Sequence, residues 1–298
     1  MSTESQANDT APNPLRLTVG YLATPSGNDG VALACALASA TGAAIDLVCV
    51  VKPMVFDGSP GLDQYQERLE NQAAQWLSEG AARIPDGVET RTVVVVNESF
   101  AAGLIGLAEQ AGAAMIVVGG TNDGVLRRHS LGTVSTELLH SSPLPVALAP
   151  RSYADRENVS LDMITVAVPV KQSAANPLPF ALELAELGRL DLRLLSLVSL
   201  DSPFDDDSAR AARAHQVSVA KELLEATKAS VDTDLDVDVV VADGSTLDEA
   251  LDNLTWDQND LVAVGSGHLG ADKRVFLGST AARILRWTTA PVIVTPKD

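Results

Sequence analysis

The chain of 298 residues carries its own pattern twice, and this repeat constrains the fold more than any other feature. Pro145-Val-Ala-Leu-Ala-Pro150 recurs as Pro291-Val-Ile-Val-Thr-Pro296, an offset of 146 residues. At the same offset, Ile116-Val-Val-Gly119 recurs as Val262-Ala-Val-Gly265. A constant spacing across separate motifs is typical of duplicated structural units. The sequence therefore predicts a disordered tail over 1–14 and tandem domains over 15–152 and 160–298, joined by a polar linker.

Each repeat alternates short apolar runs with segments of helical spacing. In the first repeat the apolar runs predict strands over Leu15–Tyr21, Ile45–Val51, Arg91–Val96, Ala114–Val118 and Val146–Ala149. The segments between them predict helices over Gly30–Thr41, Gly61–Arg83, Ala101–Ala111 and Thr133–His140. Apolar strands that alternate with helices indicate a parallel sheet covered on both faces. The predicted fold class is therefore α/β, with two Rossmann-like domains that each contain an open five-stranded parallel sheet.

A glycine-rich loop follows the fourth predicted strand of each repeat. In the second repeat Gly265, Gly267 and Gly270 match the G-x-G-x-x-G pattern of dinucleotide-binding turns. That turn requires an acidic residue about 20 positions further on for the ribose. No Asp or Glu occurs between Asp272 and Asp298. The sequence therefore argues against a dinucleotide site.

The two loops share a different pattern with each other. Gly119-Gly-Thr-Asn122 is followed by nine residues and Gly132-Thr133, and Gly265-Ser-Gly-His268 by nine residues and Gly278-Ser279. Glycine at the end of a parallel strand lets backbone N–H groups approach a phosphate. A helix that begins at Gly-Thr or Gly-Ser adds free N–H donors, a hydroxyl and the positive end of its dipole. Thr133 and Ser279 are also candidate N-caps, a role that needs no ligand.

This spacing resembles that of the universal stress protein family, whose nucleotide-binding members carry G-x-x-G, nine residues and G-[ST]. The resemblance covers nearly the whole chain, one domain per repeat, and includes the closing P-V-x-[LV]-x-P strand. It implies a non-catalytic protein of stress response or signalling that binds ATP or another adenine nucleotide. The candidate binding residues at the two loops are Gly119, Asn122, Arg127, Gly132, Thr133 and Val134 in the first and Gly265, Gly267, His268, Lys273, Gly278, Ser279 and Thr280 in the second.

The resemblance also implies an arrangement of the two domains. Members of the family commonly dimerise through the last strand, and this chain contains two such strands, Val146–Ala149 and Val292–Thr295. We expect these strands to pair with each other and to form an intramolecular pseudo-dimer. The pairing would cover two apolar sheet edges that otherwise invite aggregation, and it leaves further homo-oligomers open.

Departures from the family pattern keep a second function open. Asn122 and His268 replace the second glycine of the two loops. ATP-binding members carry an Asp just after the first strand, whereas neither Tyr21–Thr24 nor Val168–Lys171 contains an acidic residue. The alternatives are a protein that binds nucleotide at one or both loops and a stress scaffold that binds none and acts through unknown protein partners.

Basic pairs occur at matching places in both nine-residue segments, Arg127-Arg128 and Lys273-Arg274. They indicate either an anion contact or a solvent-exposed surface pair. No nucleophile–base motif, G-x-S-x-G elbow, H-E-x-x-H or Walker sequence occurs. Catalysis is therefore the weakest hypothesis, with weak nucleotide hydrolysis as its upper limit.

Composition excludes other classes of partner. The net charge of −18 argues against nucleic acid, and the sequence shows no membrane span or signal segment, which favours a cytoplasmic protein. Cys35 and Cys49 lack metal-ligand spacing and are predicted to be buried core thiols. The alternating acids of Asp232–Asp238 predict the solvated start of a strand. No metal is expected.

Overall fold

The computed structural model describes residues 15–54, 61–120, 131–157, 159–169, 175–200, 206–267 and 274–297. The first repeat contains β1 (Arg16–Gly20), α1 (Pro25–Thr41), β2 (Ala44–Val51), α2 (Leu62–Ala81), β3 (Thr90–Val96), α3 (Phe100–Ala111), β4 (Met115–Gly119), α4 (Thr133–Ser141) and β5 (Val146–Ala149). The second contains β6 (Met163–Ala167), α5 (Leu178–Gly188), β7 (Asp191–Ser199), α6 (Asp207–Ser230), β8 (Val237–Gly244), α7 (Leu247–Asp252), β9 (Asp260–Gly265), α8 (Ser279–Trp287) and β10 (Val292–Thr295). The predicted tail over 1–14 lies outside the described residues.

The predicted strands and helices of the first repeat are confirmed, with one boundary that differs by more than two residues. Helix α1 begins at Pro25, five residues before the predicted Gly30. The side chain of Thr24 accepts a hydrogen bond from the N–H of Gly27 at 3.1 Å and so caps the helix. Proline fits the first turn, which needs no N–H donor there. The sequence pattern did not predict this start, because the glycines of the first turn disfavour a helix.

The ten strands of the described residues form one sheet in the order β3-β2-β1-β4-β5-β10-β9-β6-β7-β8. Neighbouring strands are parallel within each repeat, and β5 pairs with β10 in antiparallel orientation. This β5–β10 pairing is called the seam here. At the seam Val292 lies opposite Leu148, Ile293 opposite Ala147 and Val294 opposite Val146. The predicted pairing of the two last strands is confirmed, and the chain forms a pseudo-dimer within itself.

Two hydrophobic cores hold the seam, one on each face of the sheet. Ala147 and Ile293 belong to the core that packs under α1, α2, α5 and α6. The core under α3, α4, α7 and α8 contains the other seam residues, Val146, Leu148, Val292 and Val294. Because side chains alternate between faces along a strand, each seam strand contributes to both cores. Each core therefore runs without a break from one repeat into the other.

Side-chain exposure tests two smaller predictions. Cys49 is buried in β2, whereas Cys35 in α1 is only half-buried and packs against the same core. Burial raises the pKa of both thiols to about 11. The prediction of two core thiols is thus correct for Cys49, whereas Cys35 is less buried than predicted.

Acids alternate with half-buried residues from Asp232 to Asp238, and β8 begins within this stretch, as expected.

A buried carboxylate fastens the linker between the repeats to α1. Asp29 is 2% exposed and accepts hydrogen bonds from the backbone N–H groups of Ser152 at 3.0 Å and Ala154 at 2.9 Å. Further along the linker, Arg156 donates to the carbonyl oxygens of Gln258 and Thr289 in the second repeat. The linker therefore joins the first helix of one repeat to the other repeat through hydrogen bonds.

We expect Asp29→Asn to lower stability at pH 7 and to flatten its pH dependence. Burial raises the pKa of Asp29, and the two N–H donors oppose this. Above the unfolded pKa of about 3.9 the native state keeps a proton that the unfolded state has lost, so this contribution to stability falls as pH rises through the folded pKa. The amide leaves one linker N–H without its acceptor, at a cost of about 1–3 kcal/mol. Urea unfolding between pH 3 and 7 measures both effects, with the exposed Asp86→Asn as control; an unchanged pH profile would contradict the assignment.

Candidate functional site

A cleft of about 690 Å³ opens at the carboxyl ends of β1, β2 and β4 in the first repeat. Open α/β sheets bind ligands at this edge, and the volume is that of a small-molecule site. The first turns of three helices line the cleft, with Thr24, Ser26 and Gly27 from α1, Ser99 and Phe100 from α3, and Gly132, Thr133, Val134 and Ser135 from α4. The positive ends of three helix dipoles therefore converge on one space.

Helix α4 differs from its two neighbours in how it begins. Thr24 and Ser99 cap α1 and α3 through their side chains. The N-cap of α4 is Gly132, which has no side chain to accept a hydrogen bond. The candidate role of Thr133 as N-cap is thus wrong, because Thr133 is already the first helical residue. The first amides of α4 reach the cleft without a side-chain cap, which is the arrangement that binds anions.

Gly119 ends β4 beside the first turn of α1. A Cβ atom at Gly119 would lie 1.8 Å from the carbonyl oxygen of Ser26, and one at Gly27 would lie 2.0 Å from that of Leu22. Both positions therefore require glycine because backbone meets backbone there. The glycine of the first loop shapes the cleft by letting α1 approach the strand, which sequence spacing alone did not indicate.

Charged and polar side chains that the sequence analysis missed line the same cleft. Lys52 follows β2, and its ammonium lies 5.4 Å from the ring centroid of Phe100. Glu98 and Ser99 follow β3, and Glu137 lies one turn into α4. The hydroxyl of Ser99 donates to the Glu137 carboxylate at 2.7 Å and accepts from the N–H of Ala102 at 3.0 Å. The only sequence signal for Glu137 was its position four residues after Thr133, on the same helix face.

The described ends of the loop in the second repeat, residues 265–267 and 274–278, contact each other and are called the closed loop here. A Cβ atom at Gly267 would lie 2.8 Å from the Cα of Gly278, so the two glycines are in backbone contact. The N–H of Gly267 donates to the carbonyl of Phe276 at 2.8 Å. The hydroxyl of Ser266 accepts from the N–H of Phe276 at 3.0 Å and donates to the carbonyl of Thr295 at 2.7 Å. These contacts occupy the backbone donors at the end of β9.

Residues 275–277, the closing segment, also bind the first repeat. The N–H of Val275 donates to the carbonyl of Ser142 at 2.8 Å, and the N–H of Leu277 donates to that of Leu139 at 3.1 Å. Both acceptors lie at the end of α4. Phe276 meets the ring of His140 edge-on, with 5.3 Å between ring centroids. The second loop is therefore part of the contact between the repeats.

The structure thus separates the sequence-predicted residues into two groups. Gly119, Gly132, Thr133 and Val134 meet at the open cleft, whereas Gly265, Gly267 and Gly278 belong to the closed loop, with Ser279 and Thr280 opening α8. Ser279, the other candidate N-cap, is likewise the first helical residue, because Gly278 takes the cap position. Asn122, Arg127, His268 and Lys273 lie outside the described residues.

Comparison with known families agrees with this duplicated architecture. The profile of the universal stress protein family matches residues 15–150 and again residues 162–296. The chain belongs to the universal stress protein family. Its two family domains share one sheet, and the open cleft lies in the first of them.

The chain is similar to curated relatives and to solved structures of the family. A universal stress protein of Mycobacterium tuberculosis is 26% identical over 295 residues, which cover 95% of this chain and 100% of the relative. The crystal structure of a universal stress protein from Archaeoglobus fulgidus covers 95% of this chain and 98% of its own, with 15% identity and a TM-score of 0.58. A universal stress protein solved in complex with cAMP covers 47% of this chain and 99% of its own, with 21% identity and a TM-score of 0.38. The cAMP belongs to that protein.

The end of β1 is apolar in this universal stress protein. Leu22 lies in the stretch Tyr21–Thr24, where the resemblance implies an Asp in ATP-binding members, and it is 43% exposed at the cleft. Val48, Val50, Leu104 and Val118 continue the apolar wall. Within the described ranges, no group of three or more His, Cys, Asp or Glu side chains could hold a metal ion. None of the helices there has the length and apolar character needed to cross a bilayer.

Proposed function

We propose that this universal stress protein binds an adenine nucleotide in the cleft of its first domain and acts as a non-catalytic, nucleotide-responsive protein of the cytoplasm. The observation that carries the proposal is the start of α4, where amides without a side-chain cap face a cleft of ligand size. A phosphate group there would accept hydrogen bonds from these amides and from the Thr133 hydroxyl, and the helix dipole would favour its charge.

The rest of the cleft suits the other parts of such a ligand. A purine ring is flat and mostly apolar, and the wall formed by Leu22, Val48, Val50 and Val118 offers it a matching surface. At the start of α3, the hydroxyl of Ser99 also lines the cleft and can accept a hydrogen bond from a sugar hydroxyl. The ligand would thus place its phosphate on α4 and its base against the ends of β1, β2 and β4.

We propose that the second domain does not bind nucleotide and instead supports the first. The N–H of Gly267 and the hydroxyl of Ser266 already donate hydrogen bonds to carbonyl groups of the same domain. The closing segment is hydrogen-bonded to the end of α4. A phosphate would have to displace these contacts before it could reach Ser279 and Thr280. One site per chain is therefore expected, with Gly265, Gly267 and Gly278 in a structural role.

A scaffold without nucleotide is the second candidate function. Leu22 favours the scaffold, because it is apolar and the stretch around it lacks the carboxylate that the resemblance associates with nucleotide recognition. Such a protein would act through protein partners.

Denaturing the freshly purified protein and analysing the released small molecules by mass spectrometry tests both candidates. We expect an adenine nucleotide at up to one equivalent per chain, and titration of stripped protein with ATP and AMP should give a stoichiometry near one. A protein that releases no adenylate and gives no titration heat would refute nucleotide binding and favour the scaffold. Two equivalents would contradict the structural role of the second loop.

A further inference from the structure

The charges that line the described walls of the cleft are unusual for a site that receives phosphate. Lys52 is a cation, whereas Glu98 and Glu137 are anions. A nucleoside triphosphate brings several negative charges, and each would be repelled by carboxylates nearby. A single phosphate could be satisfied by the amides of α4 alone. The walls therefore favour a ligand with few phosphates.

Glu137 is the carboxylate best placed to make this distinction. It lies four residues after Thr133, on the same face of α4, about 6 Å along the helix axis from the amides that would hold a phosphate. The 2.7 Å hydrogen bond from Ser99 holds it at the cleft. Ser99 in turn caps α3, so the position of the carboxylate is tied to the start of a second helix.

The second repeat offers an internal comparison. Position 283 corresponds to position 137 at the offset of 146 residues, and it is occupied by Arg283, four residues after Ser279. Helix α8 thus carries a cation where α4 carries an anion. The acidic residue is therefore particular to α4 and is not shared by the repeat.

We propose that Glu137 is a specificity-determining residue that lowers the affinity of the first-domain cleft for each additional phosphate, so that the cleft prefers adenosine monophosphate to the triphosphate. The inference rests on the proposed function of the cleft. The ligand class is an adenine nucleotide with one phosphate group, bound through the start of α4. The amides attract the first phosphate, and Glu137 opposes the charge of those that follow.

Calorimetric titration of adenosine, AMP and ATP into the full chain, with and without Mg²⁺, tests the assignment. Glu137→Gln keeps an oxygen that can accept from Ser99 and removes the charge. We expect wild type to bind AMP more tightly than ATP, and the variant to gain about 3–10-fold in affinity for ATP relative to AMP. The affinity for adenosine should stay unchanged, and the gain should shrink at high salt because the effect is electrostatic.

Glu109→Gln, on an exposed turn at the far end of α3, is the matched control and should leave all three affinities at wild-type values. Equal melting temperatures of the three proteins would show that the change is not one of folding. An ATP-to-AMP affinity ratio that Glu137→Gln leaves unaltered, or a wild type that prefers ATP with Mg²⁺, overturns this inference while the proposed function stands. A wild type that binds none of the three ligands overturns both.

Discussion

Thr133→Glu is expected to weaken adenine-nucleotide binding by about 30-fold, or about 2 kcal/mol, while leaving the fold intact. Thr133 is exposed and is the first residue of α4. A carboxylate in the first turn of a helix is favourable for the helix itself because it complements the dipole. The same carboxylate would occupy the space of the phosphate and repel its charge. Calorimetric titration with AMP measures the loss, and thermal unfolding checks that stability is retained.

Ser279→Glu is the matched control, because Ser279 is the exposed first residue of α8 at the equivalent place in the second repeat. We expect this variant to bind AMP as tightly as wild type, since the closed loop keeps ligand away from α8. Equal losses of AMP affinity in both variants would mean that both loops bind the nucleotide. Wild-type AMP affinity in Thr133→Glu would mean that the ligand does not contact the start of α4. The pair therefore tests where the ligand lies as well as whether it binds.

The sequence predicted those parts of the molecule that depend on local pattern. Apolar runs such as Val146–Ala149 predicted the strands, and their repetition predicted both the two domains and the pairing at the seam. The first residue of α4 was also predicted, but its cap was not. Glycine and threonine are both acceptable N-caps, so the choice between Gly132 and Thr133 depends on backbone geometry that the pattern does not contain.

The features that distinguish the two loops could not be predicted, because they join segments distant in sequence. The hydrogen bond between Ser99 and Glu137 spans 38 residues. The contact between Val275 and Ser142 crosses from one repeat to the other. Similar glycine spacing in the two loops suggested similar sites, whereas the closing segment of the second loop is hydrogen-bonded to α4. Sequence spacing does not contain such contacts between distant segments.

Ile293→Asp is expected to lower the free energy of unfolding by about 3–5 kcal/mol, the largest effect on stability that we predict, because it buries a charge without a partner. Ile293 is 1% exposed and lies opposite Ala147 at the seam, inside the core that both repeats share. Burying the carboxylate would separate β5 from β10 and uncouple the two repeats. Urea unfolding followed by circular dichroism and by the fluorescence of Trp76, Trp256 and Trp287 measures the change. Wild type should show coincident transitions, since the cores are continuous, whereas the variant should unfold at lower urea with transitions that separate.

Two controls separate the effect of the seam from that of the substitution itself. Val219→Asp introduces the same side chain at a position that is 46% exposed on α6, where we expect a change within about 0.5 kcal/mol. Ile293→Val removes one buried methylene without adding charge and should cost about 0.5–1.5 kcal/mol. If Ile293→Asp unfolded within about 1 kcal/mol of wild type, with coincident transitions, the seam would not couple the repeats. The closing segment of the second repeat would then contact α4 without support from the sheet, and the proposed structural role of the second domain would lose its physical basis.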